Sequence, residues 1–279
     1  MDILTSAQHN LNYTTLSNPN SWIQRYEHLA DPRTKDWLLV PSFTPVVMWI
    51  IAYLVMSLYL SKIFKRYKPF KLQGLLIAYN FCMALLNLYI AKELLQSATK
   101  LKYSYWCQPH RVIYSEQEIR LASAVWWFYF SKLLEFCDTA FFILRHKWKQ
   151  LSPLHIYHHS TMFPMWWAAT KYVPTGAIFF PSLVNSIIHV IMYTYYALSA
   201  CGPAIQKYLW WKKYLTVVQL AQFTLGVIWG IQAIAFKCDV PTGIKYVTIG
   251  YMVTFLILFG HFYKKEYTRT HQVKNKKSK

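Results

Sequence analysis

Long apolar segments separated by short polar and basic segments are the dominant pattern of this chain of 279 residues. Seven segments stay apolar over about the length that an α-helix needs to cross a lipid bilayer. They are residues 44–61, 72–95, 120–144, 154–170, 177–200, 214–236 and 246–263. The pattern predicts an all-α membrane protein with seven transmembrane helices. It divides the chain into an N-terminal segment (1–43), a membrane domain (44–263) and a basic tail (264–279).

Composition and charge support this interpretation and orient the helices. Hydrophobic residues make up 55% of the chain, which nevertheless carries a net charge of +19. Most of the Lys and Arg residues lie in the tail and in alternate loops, next to the predicted membrane surface. The positive-inside rule therefore predicts a cytosolic C-terminus and a lumenal N-terminus. Charge clusters in this position favour anionic lipid or a phosphorylated cofactor as partner, and they argue against nucleic acid.

Histidines inside the predicted spans are the first candidates for chemistry. His155, His158 and His159 form an H-x-x-H-H box in the fourth span, and His189 lies in the fifth. Because positions i, i+3 and i+4 share one face of a helix, the box presents three imidazoles in one direction. Ionisable side chains at membrane depth are costly and usually line a cavity or a reaction path. We therefore expect these imidazoles to act as base, nucleophile or metal ligand.

Further polar side chains follow single helix faces in the neighbouring spans. Spacings of three or four residues place such side chains side by side on a helix surface. They are Lys132, Glu135 and Asp138 in the third span, Asn185 and Tyr193 in the fifth, and Gln219 in the sixth. Each charge at the centre of a membrane helix costs roughly 3 kcal/mol on insertion scales. The pattern therefore predicts a polar site inside the bundle.

Three functions are compatible with such a set of residues. A metal-dependent lipid oxidase could use the H-x-x-H-H box, but the remaining histidines are scattered near chain ends and loops, which leaves too few ligands for a di-iron centre. A seven-span lipid transporter or receptor is compatible with charges near the membrane midplane. Acyl transfer uses imidazole as nucleophile and as base. Acyl transfer is favoured, because it alone explains clustered histidines beside an acid.

Four sequence strings point to a known family. They are, in chain order, KLLEFCDT, HIYHH, NSIIHVIMYTYY and TVVQLAQ. They resemble the signature boxes of the ELO family of very-long-chain fatty acid elongases and cover the third to sixth spans. The resemblance implies a seven-helix bundle around an enclosed acyl tunnel. It also implies a 3-oxoacyl-CoA synthase of the endoplasmic reticulum membrane that condenses acyl-CoA with malonyl-CoA. The string LHIYHH and Gln150 resemble the branch that handles polyunsaturated and very long acyl chains.

The resemblance also assigns roles to the residues. His158 is the expected nucleophile, and His189 is expected to act on the second substrate. His155 and His159 would complete a hydrogen-bonded network in which Asp138 orients a ring. The expected substrate contacts are Lys132, Glu135, Asn185, Tyr193 and Gln219, with Lys212 and Lys213 before the sixth span as candidates for the CoA phosphates. The substrates would be malonyl-CoA and a long-chain or very-long-chain acyl-CoA, with no metal and no further cofactor.

The predicted topology assigns the remaining features to the two sides of the membrane. Cys107 and Cys238 fall in loops outside the cytosol, where a disulfide persists, and we predict that they pair rather than remain free thiols. Asn12 begins a glycosylation sequon on the same side. Lys276 and Lys277 form a K-K-x-x ending that resembles a retrieval address for the endoplasmic reticulum. The resemblance implies the reductases and dehydratase of the elongation cycle as partners and leaves homo-oligomerisation open.

Overall fold

Helices form at every predicted span in the computed structural model, which describes residues 27–268. The main helices are α1 (Thr44–Phe64), α2 (Gln73–Lys100), α3 (Glu116–Leu134), α4 (Phe136–Leu144), α5 (Pro153–Tyr172), α6 (Phe179–Ala200), α7 (Lys212–Ala235) and α8 (Thr242–Tyr263). No β-strand occurs between residues 27 and 268, so the all-α prediction is confirmed for this part of the chain.

Fewer helices than the seven predicted meet the length and hydropathy of a membrane span within residues 27–268. Within residues 27–268, five helices are long and apolar enough to cross a bilayer, namely α1, α2, α6 with the turn before it, α7, and α8 with the turn after it. The predicted third span is divided, because α3 ends at Leu134 and α4 begins at Phe136. The predicted fourth span is α5, whose histidines lower its hydropathy. The chain is thus a multi-pass membrane protein, and the count of seven spans stays a prediction.

Local sequence fixes where the helix with the histidine box begins. The Oγ atom of Ser152 accepts a hydrogen bond from the backbone N–H of His155 at 3.2 Å. Pro153 occupies the first helical position, where its missing N–H costs nothing. The box therefore starts in the first turn of α5, at one end of the bundle.

Six helices pack in a ring around a central cavity, namely α2, α3, α5, α6, α7 and α8. Helix α2 packs against α3 and α6, α3 also packs against α5, and α7 packs between α6 and α8. The ring closes between α8 and α5, where Thr161 Oγ1 and Tyr251 Oη lie 2.6 Å apart. Met162 of α5 packs with Phe223 of α7 and Phe255 of α8 at the same junction. Helix α1 lies outside the ring, against α5.

The segment before α1 caps the end of the ring at which α5 ends. Thr34 Oγ1 donates to the carbonyl oxygen of Thr170 at 2.6 Å, and Trp167 Nε1 donates to that of Val40 at 3.1 Å. A disulfide between Cys107 and Cys238, with Cα atoms 5.3 Å apart, joins two loops at the same end. The predicted pairing of these two cysteines is therefore confirmed.

A buried ion-pair cluster lies in this cap. The guanidinium of Arg33 contacts Asp31 at 2.7 Å and Glu118 at 3.3 Å, and all three side chains are almost fully buried. Burial alone would raise the pKa of Asp31. Hydrogen bonds from His110 and Arg33 outweigh burial and hold that pKa below its usual range. The cluster ties residues 31–33 to the start of α3.

Candidate active site

A cavity of about 220 Å³ lies inside the ring and brings together the residues predicted from separate spans. It extends to the end of the ring at which α5 and α7 begin, opposite the cap. The predicted residues that line it are His155, His158, His159, His189, Glu135, Asp138, Asn185, Tyr193, Gln219 and Lys212. The remaining lining is largely aromatic and aliphatic, so the cavity is suited to an apolar ligand with a polar reacting group.

His158 lines this cavity, and its ring nitrogens are open to it. Its side chain is half-buried, and its ring lies 4.9 Å from that of His159 and 5.4 Å from that of Phe255, measured between centroids. Within residues 27–268 its side chain makes no hydrogen bond, yet its nitrogens are not among the buried polar atoms that lack partners. The nitrogens are therefore accessible from the cavity.

His155, the first histidine of the box, is held by its neighbours. Thr139 Oγ1 lies 2.7 Å from His155 Nε2 and 3.2 Å from Tyr53 Oη. The ring of His155 lies 4.3 Å from that of His159, which is buried. Thr139 directly follows Asp138 in the KLLEFCDT string, whereas the sequence pattern of α1 did not indicate Tyr53. These contacts fix the ring orientation of His155.

Glu135 is the acidic centre of the site. It lies at the junction of α3 and α4 and is 0% exposed. Its Oε1 atom lies 2.7 Å from Lys132 Nζ and 3.2 Å from His189 Nδ1, and its Oε2 atom lies 3.8 Å from His159 Nδ1. A single carboxylate therefore faces one cation and two imidazoles.

Lys132 forms an ion pair with Glu135 but does not itself line the cavity. Its Nζ atom also donates to Asn185 Oδ1 at 3.3 Å and lies 4.2 Å from the centre of the Phe128 ring. The predicted pairing of Lys132 with Glu135 is confirmed. The predicted contact of Lys132 with substrate is not what the structure indicates, because Glu135 and Asn185 separate it from the cavity.

Asp138 has a different partner from the one predicted. Its Oδ2 atom accepts a hydrogen bond from Tyr193 Oη at 2.7 Å. Asp138 lies in the first turn of α4 and meets Tyr193 of α6. The predicted role of Asp138 in orienting a histidine is therefore corrected, because the carboxylate beside the imidazoles is that of Glu135.

The two predicted CoA-binding lysines differ in position. Lys212 is exposed at the first position of α7 and lines the mouth of the cavity, with Gln150 and Ser152. Lys213 is also exposed, but it does not line the cavity, and its Nζ atom lies 4.9 Å from the centre of the Tyr214 ring. The structure thus favours Lys212 over Lys213. The predicted sites at Asn12, Lys276 and Lys277 lie outside the described residues.

Gln219 lies deeper in the cavity, with its Nε2 atom 3.8 Å from the sulfur of Met192. Neighbouring Gln222 and Phe223 also line the cavity. Within residues 27–268, no group of three or more His, Cys, Asp or Glu side chains is arranged to hold a metal ion.

The fold and site define a class of protein, a multi-pass helical membrane protein whose ring of helices encloses a histidine-lined cavity. The family model described as ELO: GNS1/SUR4 matches residues 38–276, and the chain therefore belongs to this family. The family resemblance of the four sequence strings is confirmed.

Curated relatives match over most of their length. The chain is 43% identical to "Very long chain fatty acid elongase 4" of Mus musculus over 250 residues, which cover 90% of this chain and 80% of that protein. It is 43% identical to "Very long chain fatty acid elongase 5" of Tachysurus fulvidraco over 239 residues, 86% of this chain and 81% of that protein. The human elongase 4 is 44% identical over 239 residues, which are 86% of this chain and 76% of that protein.

Proposed function

We propose that this protein is the condensing enzyme of fatty acid elongation, a 3-oxoacyl-CoA synthase that joins a long-chain or very-long-chain acyl-CoA with malonyl-CoA. Family membership and relatives named as very long chain fatty acid elongases support elongation. The observation that carries the chemistry is His158, whose unbonded ring nitrogens open into an enclosed cavity beside Glu135 and His189.

The first half-reaction is acyl transfer to His158. A ring nitrogen attacks the thioester carbonyl carbon of acyl-CoA, the C–S bond breaks, and the CoA thiolate leaves. The acyl group becomes an acyl-imidazole, and the proton that the imidazole loses passes to the leaving thiolate. The apolar lining excludes water, so the intermediate is protected from hydrolysis.

The second half-reaction uses malonyl-CoA. Loss of carbon dioxide breaks a C–C bond and leaves a thioester enolate, which attacks the carbonyl carbon of the acyl-imidazole. The new C–C bond forms as the C–N bond breaks, which gives a 3-oxoacyl-CoA two carbons longer. The departing imidazole takes up one proton from water at the mouth of the cavity, and His158 is restored. The Nδ1 atom of His189 lies 3.2 Å from Glu135 Oε1. As an imidazolium, whose charge Glu135 would balance, His189 would donate from Nε2 to the enolate oxygen.

The mouth of the cavity orients the substrates. The charged nucleotide of CoA cannot enter the bilayer cheaply, so its phosphates stay with basic residues such as Lys212 while the pantetheine arm reaches inward. We infer that this mouth faces the cytosol, that the N-terminus is lumenal, and that the protein resides in the endoplasmic reticulum membrane. The reductases and dehydratase of the elongation cycle would then act on its product.

An elongation assay tests the proposal against a lipid transporter or receptor of the same architecture. Microsomes that contain the expressed protein are incubated with radiolabelled malonyl-CoA and a panel of acyl-CoAs. We expect labelled 3-oxoacyl products two carbons longer than the acyl-CoA supplied, above the level in microsomes without the protein. Absence of labelled product with every acyl-CoA, together with saturable binding of acyl lipid, would instead support the transporter or receptor.

Replacement of Lys212 by alanine is expected to raise KM for malonyl-CoA several-fold with little change in kcat. Its charge contributes binding energy that the ground state and the transition state share. Initial rates at varied malonyl-CoA concentration give both constants. Lys213→Ala is the matched control, because it removes the same charge one residue away but outside the cavity lining. Equal KM values for the two variants would show that Lys212 does not bind the CoA phosphates.

Replacement of Glu135 by glutamine is expected to lower kcat by about 10²-fold or more, because a carboxylate that orients an imidazole is lost. The KM for acyl-CoA should change little, since Glu135 contacts the imidazoles rather than the CoA moiety. Glu135→Asp should recover part of the loss. Glu93→Gln is the matched control, since Glu93 is a buried carboxylate paired with Arg120 at 2.8 Å outside the cavity. A similar kcat in both Gln variants would reduce Glu135 to a structural role.

A further inference from the structure

Tyr53 extends from α1, which lies outside the ring, to the rear of the active site. Its side chain is 1% exposed and stacks on the ring of Phe136, with the centroids 4.4 Å apart. The buried hydroxyl of Thr139 donates a hydrogen bond to Tyr53 Oη at 3.2 Å. The same Thr139 oxygen lies 2.7 Å from His155 Nε2. Three side chains from α1, α4 and α5 therefore form one hydrogen-bonded chain that ends at the cavity.

The direction of these hydrogen bonds determines which nitrogen of His155 carries a proton. A threonine hydroxyl has one proton, and Thr139 gives it to Tyr53. The proton in the contact between Thr139 and His155 must then come from the imidazole, so Nε2 is the donor. A neutral imidazole carries a proton on one nitrogen only. Nδ1 of His155 is therefore an acceptor with a free lone pair.

This unprotonated nitrogen is open to the cavity that His155 lines. Within residues 27–268 it makes no hydrogen bond, yet it is not among the buried polar atoms that lack partners. His155 and His158 are three residues apart on α5, a spacing that brings Cβ atoms to about 5–6 Å from each other. A proton can cross between two such side chains directly or through one water molecule.

We propose that Tyr53 and Thr139 are positioning residues that keep a proton on His155 Nε2, so that Nδ1 accepts the proton that His158 loses on acylation. This inference rests on the proposed condensing function and adds a base for its first half-reaction. Neither Tyr53 nor Thr139 is among the residues that line the cavity, so both act through His155.

The base completes the proton path of the acylation step. A bond forms between a ring nitrogen of His158 and the thioester carbon, the C–S bond breaks, and its electron pair goes to sulfur. The proton on the other ring nitrogen of His158 passes to His155 Nδ1 and then to the CoA sulfur, which leaves as the thiol. His155 returns to its starting form.

Replacement of Tyr53 by phenylalanine keeps the packing on Phe136 but removes the acceptor of the Thr139 proton. That proton then turns to His155 Nε2, which transfers the imidazole proton to Nδ1 and removes the base. We expect the rate of CoA release with acyl-CoA alone to fall roughly 10–100-fold, as for loss of a partner that fixes a tautomer. The acyl-CoA concentration that gives half the maximal rate should not change.

Tyr129→Phe is the matched control for this variant. Tyr129 is 0% exposed, its ring stacks on that of Phe163, and its hydroxyl donates to the carbonyl oxygen of Leu39 at 3.2 Å. The control therefore removes a buried, hydrogen-bonded hydroxyl away from the histidines, and CoA release should keep its rate. Equal rates in Tyr53→Phe and Tyr129→Phe would overturn the inference.

Two variants of Thr139 separate the hydroxyl from the packing. Thr139→Val removes the hydroxyl and should slow CoA release at least as much as Tyr53→Phe, whereas Thr139→Ser keeps the hydroxyl and should recover most of the rate. Reaction of the preformed acyl-enzyme with malonyl-CoA should keep its rate in Tyr53→Phe, because the departing imidazole takes its proton from water. Equal slowing of both half-reactions would indicate a structural role.

The tautomer of His155 can also be observed in the unaltered protein. Nitrogen NMR spectra of protein with ¹⁵N-labelled histidine, in lipid nanodiscs without substrate, distinguish protonated from unprotonated ring nitrogens. The signals that disappear in His155→Gln belong to His155. We expect a protonated Nε2 and an unprotonated Nδ1, and the opposite pattern would overturn the inference whether or not the other variants fold.

These outcomes are distinguishable from failure of the proposed function. The proposed function fails if the unaltered protein condenses no acyl-CoA with malonyl-CoA, and the role of His155 as base then fails with it. The inference alone fails if the unaltered protein is active but Tyr53→Phe releases CoA at the unaltered rate.

Discussion

Replacement of His158 by alanine is expected to reduce condensation by at least about 10³-fold while the protein still reaches the membrane. A nucleophile that forms a covalent intermediate cannot be replaced by a positioned neighbour, and its loss leaves only the binding contributions of the site. The measurement is the rate of labelled 3-oxoacyl product with saturating acyl-CoA and malonyl-CoA. A covalent acyl group on His158, detected by mass spectrometry after addition of acyl-CoA alone, should disappear in the variant.

The control for this experiment is His261→Ala, which removes an exposed imidazole on α8 and should leave the rate unchanged. Comparable rates in the two variants would exclude His158 as the nucleophile. An acyl adduct on another histidine of the box would transfer the role to that residue without changing the reaction.

Replacement of Arg33 by methionine is expected to lower the free energy of unfolding by about 3–5 kcal/mol, because it leaves two buried carboxylates without their cation. Arg33 contacts Asp31 and Glu118, and it also donates to Thr175 Oγ1 at 2.9 Å. Since the cluster holds the pKa of Asp31 below its usual range, its stabilising effect is complete above about pH 4 and is lost only as pH falls below that value. The full effect should therefore be seen at neutral pH.

The unfolding temperature of the purified protein in detergent measures this effect. Arg111→Met is the matched control, because Arg111 is exposed in the loop before α3. Equal unfolding temperatures for the two variants would show that the cap contributes little to stability. A large fall in stability would identify residues 27–43 as part of the folded core rather than a peripheral arm.

The hydrophobic pattern predicted where the helices form but not that one of them is interrupted. Segments of apolar residues gave the approximate bounds of α2, α6, α7 and α8, since burial in lipid requires every backbone group to be paired within a helix. The same pattern suggested one span across residues 120–144. The interruption at Glu135 could not be read from it, because no Pro or Gly marks that position.

The sequence predicted which residues form the site better than it predicted the contacts between them. The spacing of the H-x-x-H-H box and the polar stripes identified the histidines and the acidic residues that line the cavity. Their pairing was only partly predicted, since Thr139 rather than Asp138 holds His155, and Asp138 pairs with Tyr193. Spacing indicates which residues share a helix face, but it does not show which residue of another helix lies opposite.

The sequence by itself determined an all-helical membrane protein, the set of buried imidazoles and the pairing of Cys107 with Cys238. These features depend on local periodicity, on the cost of charge in lipid and on the topology of the loops. Only the tertiary structure decided that Glu135 is shared by two histidines and that Lys212 and not Lys213 lines the mouth. Those relations depend on how helices distant in sequence rotate and pack against one another, and periodicity along one helix contains no information about that rotation.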